Sequence, residues 1–248
     1  YIAFYAYINC CKTNSSLYGA IKSEFERGLN MNKEWSELNK TMQAQIKKKD
    51  TYKMGIDTLF NLRRQLMQTL VSFKEDLCRE DFNAIPFINA DGYHSKTIAY
   101  SIWHIFRIED IVAHTVITED EQVFFTGNYQ VRINSPIITT GNELVKQQIA
   151  DFSKQLNLEE LYSYIFEVRE STEKILERFS YDELKWKIPD ERKGYLKSLN
   201  VVNCDEKAIW LIDYWCSKDI RGLIQMPFSR HWIMHTEACL RIKNKIHS

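Results

Sequence analysis

Pro227-Phe228-Ser229-Arg230-His231-Trp232-Ile233-Met234-His235-Thr236-Glu237-Ala238-Cys239-Leu240-Arg241-Ile242, running on to Ile246, decides how the rest of the chain is read. As a helix it gathers Phe228, His231, His235, Ala238, Ile242 and Ile246 on one side, because three- and four-residue steps return to the same face of a 3.6-residue turn. Two histidines therefore stand in an apolar stripe. A buried imidazole needs a hydrogen-bond partner or a metal. Two of them one turn apart can present nitrogens to a common point, the spacing of the helical pair in HExxH zinc proteases. No glutamate stands between His231 and His235, so the protease reading fails.

Working outward, the 248-residue chain balances 33 Lys and Arg against 33 Asp and Glu, and nothing global steers it toward nucleic acid or an anionic membrane. A hydrophobic content of 44% suffices for a substantial core. Eight Gly and four Pro are too few for a turn-rich β-sandwich, so an all-α fold is expected. Cys10, Cys11, Cys78, Cys204, Cys216 and Cys239 form no CxxC pair and no framework spacing, which points to reduced thiols and a cytoplasmic protein. The apolar stub ahead of Cys10-Cys11 reads as an ordinary buried segment rather than the tail of a secretory signal or lipobox.

Four core helices follow from the periodicity. Leu59, Leu62, Leu66, Leu70, Phe73 and Leu77 form the seam of the first, over 51–78. The second spans 97–116, with Ile98, Ile102, Ile105 and Val112 on one flank and Ser101, His104, Ile108 and Ile111 on the other. Asn157 and Glu160 predict a helix cap and return contact opening the third, whose seam is Leu158, Leu161, Ile165, Val168, Thr172, Ile175 and Phe179. The fourth is the opening stretch.

A long irregular crossover carrying one short helix, 142–155, joins the second to the third, and 186–203 is expected as loop and 205–224 as helix. Residues 1–50 form an N-terminal helical extension with helices at 17–29 and 32–49, the latter closed by Lys47-Lys48-Lys49 as a solvated end. Residues 51–248 then make one four-helix bundle, a fold that builds metal and cofactor sites from facing side chains.

His104 on the second helix joins His231 and His235 as a candidate set of three neutral imidazoles suited to Zn or Ni ahead of Fe or Mn. His114 lies ten positions further on, about 15 Å along a straight helix, and cannot share that metal. His114, His94 and His247 read as surface or loop residues. Glu109, Asp110 and Glu237 turn away from the histidine faces and are at most acceptors holding an imidazole tautomer. Tyr100, Trp103 and Trp232 read as core ahead of pocket wall, and Cys239 as a buried inert thiol ahead of an extra soft ligand.

Ile102-Trp103-His104-Ile105 together with Arg230-His231-xxx-His235-xx-Ala238 resembles the DinB-like superfamily over residues 51–248. That resemblance implies an up-up-down-down bundle, often homodimeric, with a metal on His104, His231 and His235. It further implies a low-molecular-weight thiol as a co-substrate in some members, which are S-transferases or a thiol-dependent isomerase. Two readings result. One is a metal-dependent enzyme that activates a thiol or water against a small-molecule substrate. The other is a non-catalytic bundle acting as a metal-binding, sensor or dimerisation module.

Overall fold

The computed structural model of the chain describes residues 32–248, so the helix expected at 17–29 and the stub ahead of Cys10-Cys11 lie outside the described residues. The described chain is helical. Its nearest approach to β-structure is a single antiparallel bridge between Lys187 and Asp219. Helix α1 covers 32–45, followed by α2 (Tyr52–Asp76), α3 (Arg79–Asn83) and α4 (Ile98–Asp110), which runs on without a break into a wider π-helical segment, Ile111–Thr118. Then come α5 (Val123–Thr126), α6 (Tyr129–Ile133), α7 (Gln147–Gln155) and α8 (Leu158–Glu177). The remainder is α9 (Glu191–Ser198), α10 (Glu206–Cys216), α11 (Ile220–Gln225), a π turn (Met226–Arg230) and α12 (His231–Ile246). No helix among the described residues is long and apolar enough to cross a membrane.

The expected seams are buried. Leu59, Leu62, Leu66, Leu70 and Phe73 of α2 and Leu161, Ile165, Val168 and Ile175 of α8 lie inside, each worth about 1.5–3 kcal/mol of hydrophobic stabilisation. Trp35 and Met42 of α1 join the same apolar clusters, while Lys47, Lys48 and Lys49 are exposed. Asn157 caps α8 by accepting from the amides of Glu159 and Glu160 at 3.1 and 3.3 Å. The return contact from Glu160 does not form, because Arg132 holds that carboxylate at 2.6 Å and the Asn157 amide donates to the Ile133 carbonyl at 2.7 Å.

Three expectations change. The loop expected at 186–203 contains α9, since Pro189 lies ahead of the helix where a missing amide costs nothing and Gly194 faces open space. The helix expected at 205–224 breaks in two where Asp219 caps a fresh start by accepting from the Gly222 amide at 2.7 Å. The crossover carries α5, α6 and α7 rather than one short helix. The buried Asp110 carboxylate accepts from the first two amides of α5, Val123 and Phe124, both at 2.9 Å, supplying a cap from another helix.

Every residue of α4 is buried. It packs against α8, α12, α7 and α3, and the two carboxylates it carries inward, Glu109 and Asp110, are partnered. Glu109 accepts two bonds from Arg63 of α2 at 2.7 and 2.8 Å and one from the Trp232 indole of α12 at 2.7 Å. The same guanidinium donates to Glu173 of α8 at 3.1 Å and to the Phe228 carbonyl at 3.2 Å, and lies 4.4 Å from the Trp232 ring centroid. One buried cation thus ties α2 to α4, α8 and α12. Replacing Arg63 with Met strands Glu109 as an uncompensated interior charge, and urea unfolding is expected to show a loss of about 3–5 kcal/mol; a change below about 1 kcal/mol contradicts this role.

Candidate metal centre

The position of α12 follows from the turn ahead of it. Pro227 has no amide to donate and its ring conflicts with the carbonyl four residues back, so the chain widens into the Met226–Arg230 π turn and begins regular α-helix at His231. Ser229 donates to the Ile224 carbonyl at 2.9 Å, satisfying an acceptor at the end of α11. With α12 set in this way, His231 and His235 face α4 one turn apart and meet His104. The three rings have centroids 4.6 to 5.0 Å apart, and one potential ligand atom from each lies within 4.8 Å of the others. Their relative exposures are 4% for His104, 8% for His231 and 4% for His235.

The crossover fixes the first of these rings. His104 Nδ1 lies 2.6 Å from the Thr140 carbonyl, which can only accept, so Nδ1 carries the proton and Nε2 keeps its lone pair. Tyr100 stacks on the opposite side, 5.2 Å between centroids and 14° from parallel, and its hydroxyl donates to the Gly141 carbonyl at 2.9 Å. Arg107, one turn further on, donates to the Ile138 carbonyl at 2.8 and 3.0 Å. Residues 138–141 therefore run along α4 as a strap of carbonyl acceptors. Gly141 has φ +75°, and a Cβ there would stand 2.8 Å from the Trp103 ring, so the strap's close approach requires glycine.

Burial pushes all three imidazole pKa values down: to about 4 for His231, and well below the usual range for His104 and His235, where neighbouring histidines add to the effect. All three are neutral at pH 7. The Nδ1 atoms of His231 and His235 are buried with no hydrogen-bond partner, a cost of about 1–3 kcal/mol for each unsatisfied group. Three neutral nitrogens converging on one another, with unpartnered polar atoms and no thiolate or carboxylate among the grouped ligands, fit a borderline divalent cation such as Zn²⁺ or Ni²⁺ rather than Mg²⁺ or Ca²⁺. A cleft of about 520 Å³ reaches His104 and His235 from one side.

The other candidates lie elsewhere. His114, expected at the surface, is buried: the π-helical segment turns it against α8, where its Nε2 lies 3.0 Å from the Ser171 hydroxyl, while its Nδ1 lies 2.7 Å from Asp120 in the connection ahead of α5. This Ser-His-Asp connectivity has the order of a hydrolytic triad. However, Ser171 lies mid-helix in α8, where the backbone amides are engaged in the helical ladder and none is free to stabilise an oxyanion. His94 contacts Arg241 and stacks on Tyr93 at the cleft's edge, and His247 is exposed.

Glu109 and Asp110 serve the packing networks described above. Glu237 is absent from the ligand group. Burial raises the Cys239 thiol to about 12, leaving it protonated. Trp103 and Trp232 are wholly buried. Beyond these, the cleft is lined by Tyr93, Lys96, Asn142, Lys146 and Lys207, none of which the sequence reading singled out. Lys96 had a readable signal, since it shares the four-residue step of Tyr100 and His104.

No model of a known protein family matches this chain, and no curated protein matches it either.

The depressed histidine pKa values set a pH dependence for the metal-stripped protein. Between the folded and unfolded values the unfolded chain binds more protons, so stability rises with pH across that window. It is fully present above about pH 6.5 and is lost as the pH falls toward about 4. Urea unfolding from pH 7 to pH 4 is expected to show a loss on the order of 3 kcal/mol attributable to His231, which His231→Phe removes. A profile identical in wild type and variant contradicts the buried neutral state.

Proposed function

We propose that this chain is a metal-dependent small-molecule enzyme of the DinB-like kind, in which His104, His231 and His235 hold Zn²⁺ or Ni²⁺. In this reading α2, α4, α8 and α12 are the four core helices of a bundle with a long crossover between the second and third. The single observation that carries it is the convergence of three buried, neutral imidazoles from α4 and α12, two of which, His104 and His235, line a cleft. Metal bound by such a donor set lowers the pKa of a thiol or water and so supplies a nucleophile near neutral pH.

The chain's own residues supply the rest. The Thr140 carbonyl holds the His104 tautomer and ring orientation, the outer support that tunes a ligand's basicity. Tyr100, packed against Trp103, covers one face of the His104 ring. The cleft volume suits a small molecule rather than a polymer. A low-molecular-weight thiol as co-substrate, a cytoplasmic location and a homodimer belong to the same reading. The free thiols of Cys78, Cys204, Cys216 and Cys239 agree with a reducing compartment.

A second reading is a metal-binding or sensor module without catalysis. It is favoured by the absence, among the described residues, of any carboxylate in the ligand group to act as a general base.

Elemental analysis of the purified protein after zinc or nickel supplementation is expected to show about one metal per chain, lost in His231→Ala. A wild type that stays metal-free sinks the proposal. With metal loaded, thiol transfer to electrophiles or hydrolysis of esters and amides is expected above background; failure of both turns the assignment to the non-catalytic module.

A further inference from the structure

The cleft above the histidines has a charge character that the neutral chain as a whole does not share. Lys96, Lys146 and Lys207 line it against one acidic residue, Asp91, although the formal charge of the protein is zero. Among the described residues no carboxylate lies within ion-pair distance of Lys96 or Lys146, and Lys207 reaches only Asp205, at 3.5 Å. Surface lysines ordinarily extend the ammonium into water. Lys96 does not: it is half-buried at the entry to α4, its Nζ 5.1 Å from the Tyr100 ring centroid.

Lys96, Tyr100 and His104 follow one another at four-residue intervals, so the cation, the aromatic ring and the imidazole stacked on that ring form a single file leading from the cleft to the histidine group. Burial lowers the Lys96 ammonium to about 8, and among the described residues no carboxylate stands within ion-pair distance to offset the cost. Lys146, also in the cleft lining, sits at φ +49°, a backbone conformation uncommon for a non-glycine residue. Asn142, another lining residue, has its amide oxygen buried without a partner; because amide oxygen and nitrogen are interchangeable in assignment, this group offers a ligand one hydrogen bond of either sense.

We propose that the cleft binds a small anionic molecule, a carboxylate or phosphate, whose charged group is held by Lys96 with Lys146 and Lys207 while its other end lies toward His104, His231 and His235. The position of the reacting end rests on the metal-site reading; the lysine grip is testable apart from it. The volume of about 520 Å³ suits a metabolite-sized ligand, and a desolvated cation beside an aromatic ring gives an anion a stronger partner than a solvated surface lysine does.

The test is equilibrium binding of succinate, of inorganic phosphate and of neutral succinamide, by calorimetry, to zinc-loaded and to chelator-stripped full-length protein. Wild type is compared with Lys96→Gln, Lys96→Arg and Lys146→Gln, with circular dichroism and zinc content checking the fold of each variant. Succinate or phosphate is expected to bind wild type at least about tenfold more tightly than Lys96→Gln, the stronger of the two identifying the anionic group. Succinamide should bind weakly to both proteins, and Lys96→Arg should keep most of the affinity. Lys146→Gln, exposed and tolerant of change, should lose a smaller factor.

Lysine-dependent anion binding that persists in stripped protein, or in a protein that takes up no zinc at all, upholds the anion site even as the latter result removes the metal reading. Affinity unchanged in both glutamine variants, binding that vanishes with zinc removal and ignores Lys96, succinamide binding as tightly as succinate, or no binding of either anion overturns the proposal.

Discussion

A single buried cation fixes the arrangement on which the rest depends. Arg63 leaves α2 and meets Glu109 of α4, Glu173 of α8, the Phe228 carbonyl and the Trp232 ring within one side chain's reach. Interior charges are tolerated only when paired with good geometry, so α2, α4, α8 and α12 cannot slide or rotate past one another without stranding a charge. The histidine arrangement is a consequence. Glu109 lies five residues beyond His104, and Trp232, whose indole donates to it, is the residue after His231. Fixing that bond orients α12 against α4 and brings His231 and His235 to His104.

The crossover supplies the complementary constraint from the outside. Its carbonyls at 138, 140 and 141 accept from Arg107, His104 and Tyr100 in antiparallel order, so a segment without regular structure helps to cover a fully buried helix. The protein keeps neutral imidazoles and unpartnered nitrogens in its interior at a cost to stability. Structures retain such costs where the groups have a use other than packing. Around the histidines the chain places the rings of Tyr93 and Tyr100 and, along the cleft, Lys96, Lys146 and Lys207.

Much of this was readable from the chain. The α2, α4, α8 and α12 segments declare themselves because apolar residues recur at helical steps over many turns, and His231 with His235 stands out because two polar rings in such a stripe need a reason. What was not readable depends on partners far away in sequence. Asp110 caps α5 across 13 and 14 residues, and Arg63 finds Glu109 across 46. His114 was misread because a π-helical turn shifts the angular spacing on which the 3.6-residue argument relies. Lys96 shared a face with His104, but a lone lysine ahead of a helix cap ordinarily reads as solvated, and its burial comes from the cleft around it. The strap's geometry at Gly141 reflects a close approach to Trp103 that composition does not reveal.

In the proposed function His104, His231 and His235 together hold one divalent metal. X-ray absorption spectroscopy of the zinc-loaded protein addresses it most directly. Ligation by the three histidines gives a first shell of light atoms at about 2.0–2.1 Å with the outer-shell scattering of three imidazoles. A shell containing sulfur at about 2.3 Å, or one with fewer than three imidazoles, would contradict it.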